Sequence, residues 1–249
     1  MLDALRLYSF FKVYPFSFLA TIATFAAGYF ATKNVSGTTD VILMAFIGFI
    51  FLSIAGVLNS IQNGIIFSSF LEQQYDEEPL SIGEVISNSI PKAVSYVMVV
   101  LTYLLVSRLL VPILMGFVGG FFQVNVLSVE INLLEVIVNF FLTTWIIFAL
   151  AEITVLDINF FETVNETFKF LFNRFSSCFF VFVCTLAAAF ITTFTVVATA
   201  SLSYIVATLV RALVLSYVVA ALQSYVITLF TTSYAEDEED VDEEEYEED

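Results

Sequence analysis

Residues 130–151 form an apolar run long enough to cross a bilayer, and it carries a regular polar line. Asn132, Glu135, Asn139 and Thr143 recur at steps of three, four and four. On a helix that spacing puts them on one face, with Ile, Leu, Val, Phe and Trp around the rest. A polar line within such a span has to face protein or a cavity. Similar apolar runs predict six spans, over 16–32, 41–61, 93–115, 131–151, 176–198 and 204–230. The second helix has the pattern to continue to 71, and the sixth is long enough to tilt.

The connections are read from their polar residues. Residues 2–14, with Arg6 and Lys12 beside an aromatic face, predict a short interfacial helix, and Pro15 suits the first turn of span one. Without a small-residue cleavage site, this start is read as a retained span rather than a signal peptide. KNVSGTTD (33–40) is a turn, and EQQYDEEP (72–79) has to leave the membrane. Residues 116–129 hold GFVGG and no charge, and read either as a loop or as a shallow re-entrant piece. Ser53, Gly56, Ser60 and Asn63 form a small, polar stripe along span two, which in lipid points to close helix packing.

Two amphipathic helices follow the even-numbered spans. In 80–92, Ile82, Val85, Ile86 and Ile90 oppose Glu84, Asn88 and Lys92. In 159–174, Phe161, Val164, Phe168 and Leu171 oppose Glu162, Asn165, Glu166 and Lys169. The apolar face of the second is expected either to lie in the membrane plane or to dock on the span bundle. The segments align at an offset of 78, with 82–90 over 160–168. A parallel internal repeat explains the match, and so does shared apolar periodicity.

Composition makes the membrane reading firm. The 249 residues are 59% hydrophobic and 13% charged, against roughly 25% charged in soluble domains. The net charge of −17 is concentrated in 235–249, which predicts a disordered acidic tail after a transmembrane domain of residues 1–234. Its expected partner is a basic cytoplasmic protein surface, or else Mg²⁺ or Ca²⁺ held as loose counterions, and nucleic acid is disfavoured. Cys178 and Cys184 are spaced against an intrachain disulfide on a helix. With six spans, Arg6, Lys12, Lys92, Lys169 and Arg174 share one side and Lys33 lies opposite. The positive-inside rule then places both termini in the cytoplasm of a multi-pass cell-membrane protein.

PLSIGEVISNSIPKAVSYVMVV (79–100) and AEITVLDINFFETVNETFKFLFNRF (151–175) carry a resemblance. They resemble a prokaryotic group of six-span membrane proteins related to the membrane domain attached to some glycerophosphodiester phosphodiesterases. Asp157 and Asn159 match the group's acidic residue and turn, while its usual turn Gly and helix Ala are missing here. The resemblance implies an all-α, six-span fold. The group's chemistry resides in a separate soluble domain, so it implies no activity for this chain.

Three function classes are weighed. There is no histidine, and Glu152, Asp157 and Glu162 at the inner face resemble no metal or nucleophile motif, so no enzyme and no cofactor is expected. A transporter or channel would use the polar line of span four. A scaffold, assembly or lipid-environment role, with membrane lipids and a cytoplasmic partner as contacts, is the first reading. Depth along the helices pairs Arg108 with Glu135, with Arg211 as the competing partner.

Overall fold

Runs this apolar can satisfy their backbone groups in lipid only within the segment itself, and the chain accordingly folds as helices. The computed structural model describes residues 7–32, 38–75, 80–118, 123–126 and 129–247. In order these form α1 (Leu7–Thr32), α2 (Thr38–Tyr75), α3 (Ile82–Ser89), α4 (Ala93–Leu105), α5 (Val111–Val118), β1 (Gln123–Val126), β2 (Val129–Asn132), α6 (Leu133–Leu156), α7 (Phe160–Asn173), α8 (Phe175–Ala198) and α9 (Tyr204–Glu247). A π-helical turn, Val106–Leu110, joins α4 to α5, so helical backbone is continuous from Ala93 to Val118. Among the described residues five helices are long and apolar enough to cross a membrane, and six if α3 and α4, bent by 58°, count as one span.

Several elements differ from the sequence expectation. Among the described residues no separate interfacial helix precedes span one: α1 runs through Pro15 from Leu7, and residues 2–6 of the expected helix lie outside the described residues. The lost amide bond is tolerable in a helix flanked by others. Helix α2 takes in Thr38–Asp40 from the expected turn and Glu72–Tyr75 from the expected break, while 33–37 and 76–79 lie outside the described residues. Before α6 stands a short antiparallel pair, Val124 opposite Ile131 and Val126 opposite Val129. β-Branched residues at alternate positions favour strands there. Beyond Tyr234, where disorder is expected, the helical backbone of α9 continues to Glu247. Extending an existing helix avoids the nucleation cost, and Glu is a good helix former.

Exposure divides the bundle along its length. Large apolar side chains are exposed on α2 from Val41 to Ile54, on α4 and α5 from Val94 to Phe117, on α8 from Phe179 to Val197 and on α9 from Tyr204 to Tyr217. Beyond Ile54 on α2, Phe141 on α6 and Tyr217 on α9, the described large apolar residues are covered. An apolar belt of this extent is the surface that lipid covers. The covered ends gather the main core, in which Tyr96, Phe148, Ile153, Ile227 and Phe230 are fully buried. Phe230 packs on Phe148 and Phe170 with ring centroids 5.5 and 4.2 Å away.

Helices α3 and α7 close that core, each folding back on the span before it. Both start with a reciprocal cap: Ser81 with Glu84, and Asn159 with Glu162. Both bury their fourth and eighth residues, Val85 and Ser89 in α3, Thr163 and Thr167 in α7. All four pairs are 78 positions apart. The stripe on α2 is where the close approach occurs. A Cβ added at Gly56 would lie 2.6 Å from Val97 Cγ2, one at Gly64 2.7 Å from Ser89 Oγ, and Ser60 donates to the Ser89 carbonyl at 2.8 Å.

Candidate functional site

The polar line of span four does not assemble as one surface. Asn132 is not on the helical face: its Oδ1 caps α6, accepting from the N–H groups of Leu134 and Glu135 at 3.1 and 3.2 Å. Glu135 is exposed in the first turn. Thr143 donates to the Asn139 carbonyl one turn back at 2.8 Å, with the Tyr103 hydroxyl 3.4 Å away. Hydroxyls that bond their own helix need no polar path. Arg108 lies in the π-helical turn, and its side chain is outside the described residues, as is its pairing with Glu135. Arg211 turns to α8, donating from Nε to Thr199 Oγ1 at 2.9 Å and from Nη2 to the Val196 carbonyl at 3.4 Å.

The inner-face carboxylates separate as well. Asp157 ends α6 in the left-handed conformation at φ 55°, with a carboxylate oxygen 3.0 Å from Lys92 Nζ. Glu162 is spent on the α7 cap. Glu152 alone is fully buried, where α7 covers α6. Its Oε2 accepts from the Thr167 hydroxyl, and Oε1 finds no hydrogen-bond partner among the described residues.

Beside Glu152 lies a polar network that the sequence reading did not assemble. Asn63 on α2 donates from Nδ2 to the Tyr96 hydroxyl of α4 at 2.9 Å. The same nitrogen lies 3.4 Å from the Leu150 carbonyl of α6 and from Gln223 Oε1 of α9. The Tyr96 hydroxyl donates to the Leu150 carbonyl at 2.8 Å and bonds the Thr154 hydroxyl. Lys92 Nζ adds a bond to the Thr154 carbonyl at 3.1 Å. Four helices are thus tied together, and Asn63, Tyr96, Thr154 and Gln223 are each at most 4% exposed. Isolated polar residues inside apolar spans were the available signal, since burying each one in hydrocarbon requires a partner. That signal places Asn63 in the small, polar stripe of span two, while Tyr96, Thr154, Thr167 and Gln223 are not among the residues the sequence singles out.

The described residues contain no group of three or more Asp, Glu, Cys or His placed to hold a metal ion. Cys178 and Cys184 are both free thiols. Apolar belt, span lengths and buried polar ties define a helical integral membrane protein. Comparison with protein-family models, with curated proteins and with solved structures finds no match to the chain.

Proposed function

We propose that this chain is a non-enzymatic, six-span protein of the cell membrane with a scaffold, assembly or lipid-environment role. The observation that carries the reading is the network itself. Asn63 Nδ2, the Tyr96 and Thr154 hydroxyls and Gln223 Oε1 bond one another across four helices, as interhelical ties do, while Asn63 Oδ1 has no partner among the described residues. The span beyond the five long helices, third in chain order, is the continuous helix from Ala93 to Val118, about 39 Å long at the helical rise. Both termini, α3 and α7 lie on the cytoplasmic side, following the basic residues.

Two surfaces are offered outward at that end. Helices α3 and α7 bury one face on the bundle and leave Ile82, Ile90, Phe161 and Phe172 exposed, apolar contacts suited to the headgroup region. For α7 this combines the two expected dispositions with the docking face rotated: Thr163, Thr167 and Phe170 join Leu171 and Val164 on the bundle, while Phe161 turns away. The acidic end of α9 is the surface for a basic partner. Matching caps and matching buried positions at the offset of 78 support a parallel internal repeat, α2–α3–α4 and α6–α7–α8.

The test is partner capture from native membranes, with the full chain and with residues 235–249 deleted. A stable partner, lost on deletion and at high salt, is the expected result. A second reading, transport, is favoured by the buried, unpartnered Oε1 of Glu152. Solute or proton flux in proteoliposomes that Glu152→Gln abolishes would replace the scaffold reading.

A further inference from the structure

At the other end of the bundle, far along α9 from the network, a cavity of about 340 Å³ opens between α1, α8 and α9. Its walls include Phe25 and Tyr29 of α1, Thr192 and Thr195 of α8, and Arg211 and Leu215 of α9. The apolar walls face a single cationic group. A guanidinium has five N–H donors; among the described residues Arg211 uses Nε on Thr199 and Nη2 on Val196, and no carboxylate pairs with it. The threonines turn their hydroxyl protons into their own helix, to Ala188 and Ile191 carbonyls at 2.8 Å, leaving oxygen lone pairs as acceptors. Arg211 lies about 10 Å along α9 from Tyr204, counted at the helical rise. Tyr29 and Tyr204, both exposed, stand at the end of the apolar belt, the level at which amphipathic aromatic rings meet headgroups.

We propose that this cavity binds the anionic headgroup of an amphiphile, a phosphodiester lipid in the leaflet opposite α3 and α7, with its charge on Arg211 and its first acyl carbons against Phe25 and Leu215. Threonine oxygens beside the guanidinium accept hydrogen bonds, so headgroups bearing hydroxyl donors are preferred over those with none. The site lies apart from the network and does not depend on the scaffold reading. An arginine that only capped α8 would show no dependence on headgroup charge.

The test uses the purified full chain in a non-ionic detergent. Dioleoylphosphatidylglycerol, dioleoylphosphatidylcholine and inorganic phosphate are titrated separately, with binding read by native mass spectrometry and thermal stability. The expected result is saturable binding of phosphatidylglycerol, with phosphatidylcholine and inorganic phosphate each weaker by about tenfold or more. Arg211→Gln is expected to weaken phosphatidylglycerol binding by about tenfold. Thr195→Phe, which fills the cavity and spares the cap on α8, is expected to do the same without lowering the melting temperature of the lipid-free protein. It also carries the test if Arg211→Gln fails to fold. Wild-type binding in Thr195→Phe, equal binding of phosphatidylcholine, or equal binding of inorganic phosphate would each overturn the proposal.

Discussion

Replacing Tyr96 by Phe removes one oxygen from the centre of the network and leaves the fully buried ring in place. That oxygen donates to the Leu150 carbonyl, accepts from Asn63 at 2.9 Å, and bonds Thr154. Interhelical hydrogen bonds in membrane proteins average about 0.6 kcal/mol and reach about 1.7. Two of the partners retain a fallback: Asn63 Nδ2 has Gln223 Oε1 and the Leu150 carbonyl at 3.4 Å, and Thr154 donates to that same carbonyl at 3.1 Å. The expected loss is therefore about 1–2.5 kcal/mol, below the roughly 3–5 kcal/mol for truncating a buried aromatic ring to Ala. Equilibrium unfolding in mixed micelles reads it directly, with the single Trp145, buried in the same core, as reporter. Tyr103→Phe is the control, because among the described residues its hydroxyl has only the 3.4 Å contact to Thr143, and it should cost under about 0.5 kcal/mol. A cycle of Tyr96→Phe with Thr154→Val should show coupling of about 0.5–1.5 kcal/mol. If Tyr96→Phe matches Tyr103→Phe, or the cycle is additive, the network does not hold the helices together.

Other substitutions probe different links. Gly56→Ala should destabilise by about 1–3 kcal/mol, because the new Cβ meets Val97 at 2.6 Å. Gly28→Ala, with no atom within 4 Å of its Cβ, should be neutral or stabilising by up to about 1 kcal/mol in the same unfolding assay. Asp157→Gly trades an exposed ion pair worth about 0–1 kcal/mol for relief of a left-handed residue worth about 1–2, so it should be neutral or stabilising by up to about 2 kcal/mol. Asp157→Val loses the pair and keeps the strain, and should melt clearly lower. The Ser81 hydroxyl, and then its backbone N–H, hold the Glu84 carboxyl below its ordinary value of 4.5. For a lowered carboxyl, the stabilisation is complete above the ordinary value and is lost as pH falls through the lowered one. Amide exchange at Val85 and Ile86 should therefore quicken in acid, and Glu84→Gln should flatten that dependence.

Span positions were legible because apolar run length is a one-dimensional property that bilayer thickness converts directly into helices. The caps of α3 and α7, Ser81 with Glu84 and Asn159 with Glu162, are local, three residues apart, although the sequence expectation takes Glu84 and Glu162 only as polar-face residues. Partners were not legible. Periodicity put Asn132, Asn139 and Thr143 on one face, but Asn132 precedes the helix as its cap and Thr143 satisfies itself on Asn139. For α7 the period was right and the phase only partly: Leu171 is in the core, Val164 packs against it and Phe168 packs on Trp145, but Phe161 faces out and Thr163 and Thr167 face in. Phe161 outweighs Thr163 and Thr167 on any hydropathy scale, yet the threonines are small enough to approach α6, and Thr167 carries the hydroxyl that bonds Glu152 while Thr163 bonds its own helix at Asn159. In a membrane protein apolarity does not mark the inside, because lipid is as apolar as the core.

Glu152 shows how the two levels combine. In sequence it neighbours Asp157 and Glu162, and the three look like polar residues marking the end of a span. Asp157 takes the left-handed turn, which reverses the chain so that α7 runs back along α6. That reversal carries Thr167 onto Glu152 and seals the carboxylate from solvent. Helix α3 makes the same reversal on α2, but there the residue equivalent to Thr167 is Ser89, whose carbonyl accepts from Ser60. The two fold-back helices thus share caps and buried positions and differ in what they cover: small-residue packing in the first, a carboxylate in the second. If one of them acquired a role beyond packing, it is α7, because it alone encloses an ionisable group with an oxygen left unpaired. Thr167→Val separates the alternatives. As a packing residue it should cost about 1–3 kcal/mol for the donor lost beside a buried acceptor, with partner capture unchanged in whatever protein remains folded. A loss of partner binding in protein that is still folded would place the buried carboxylate within the function rather than beneath it.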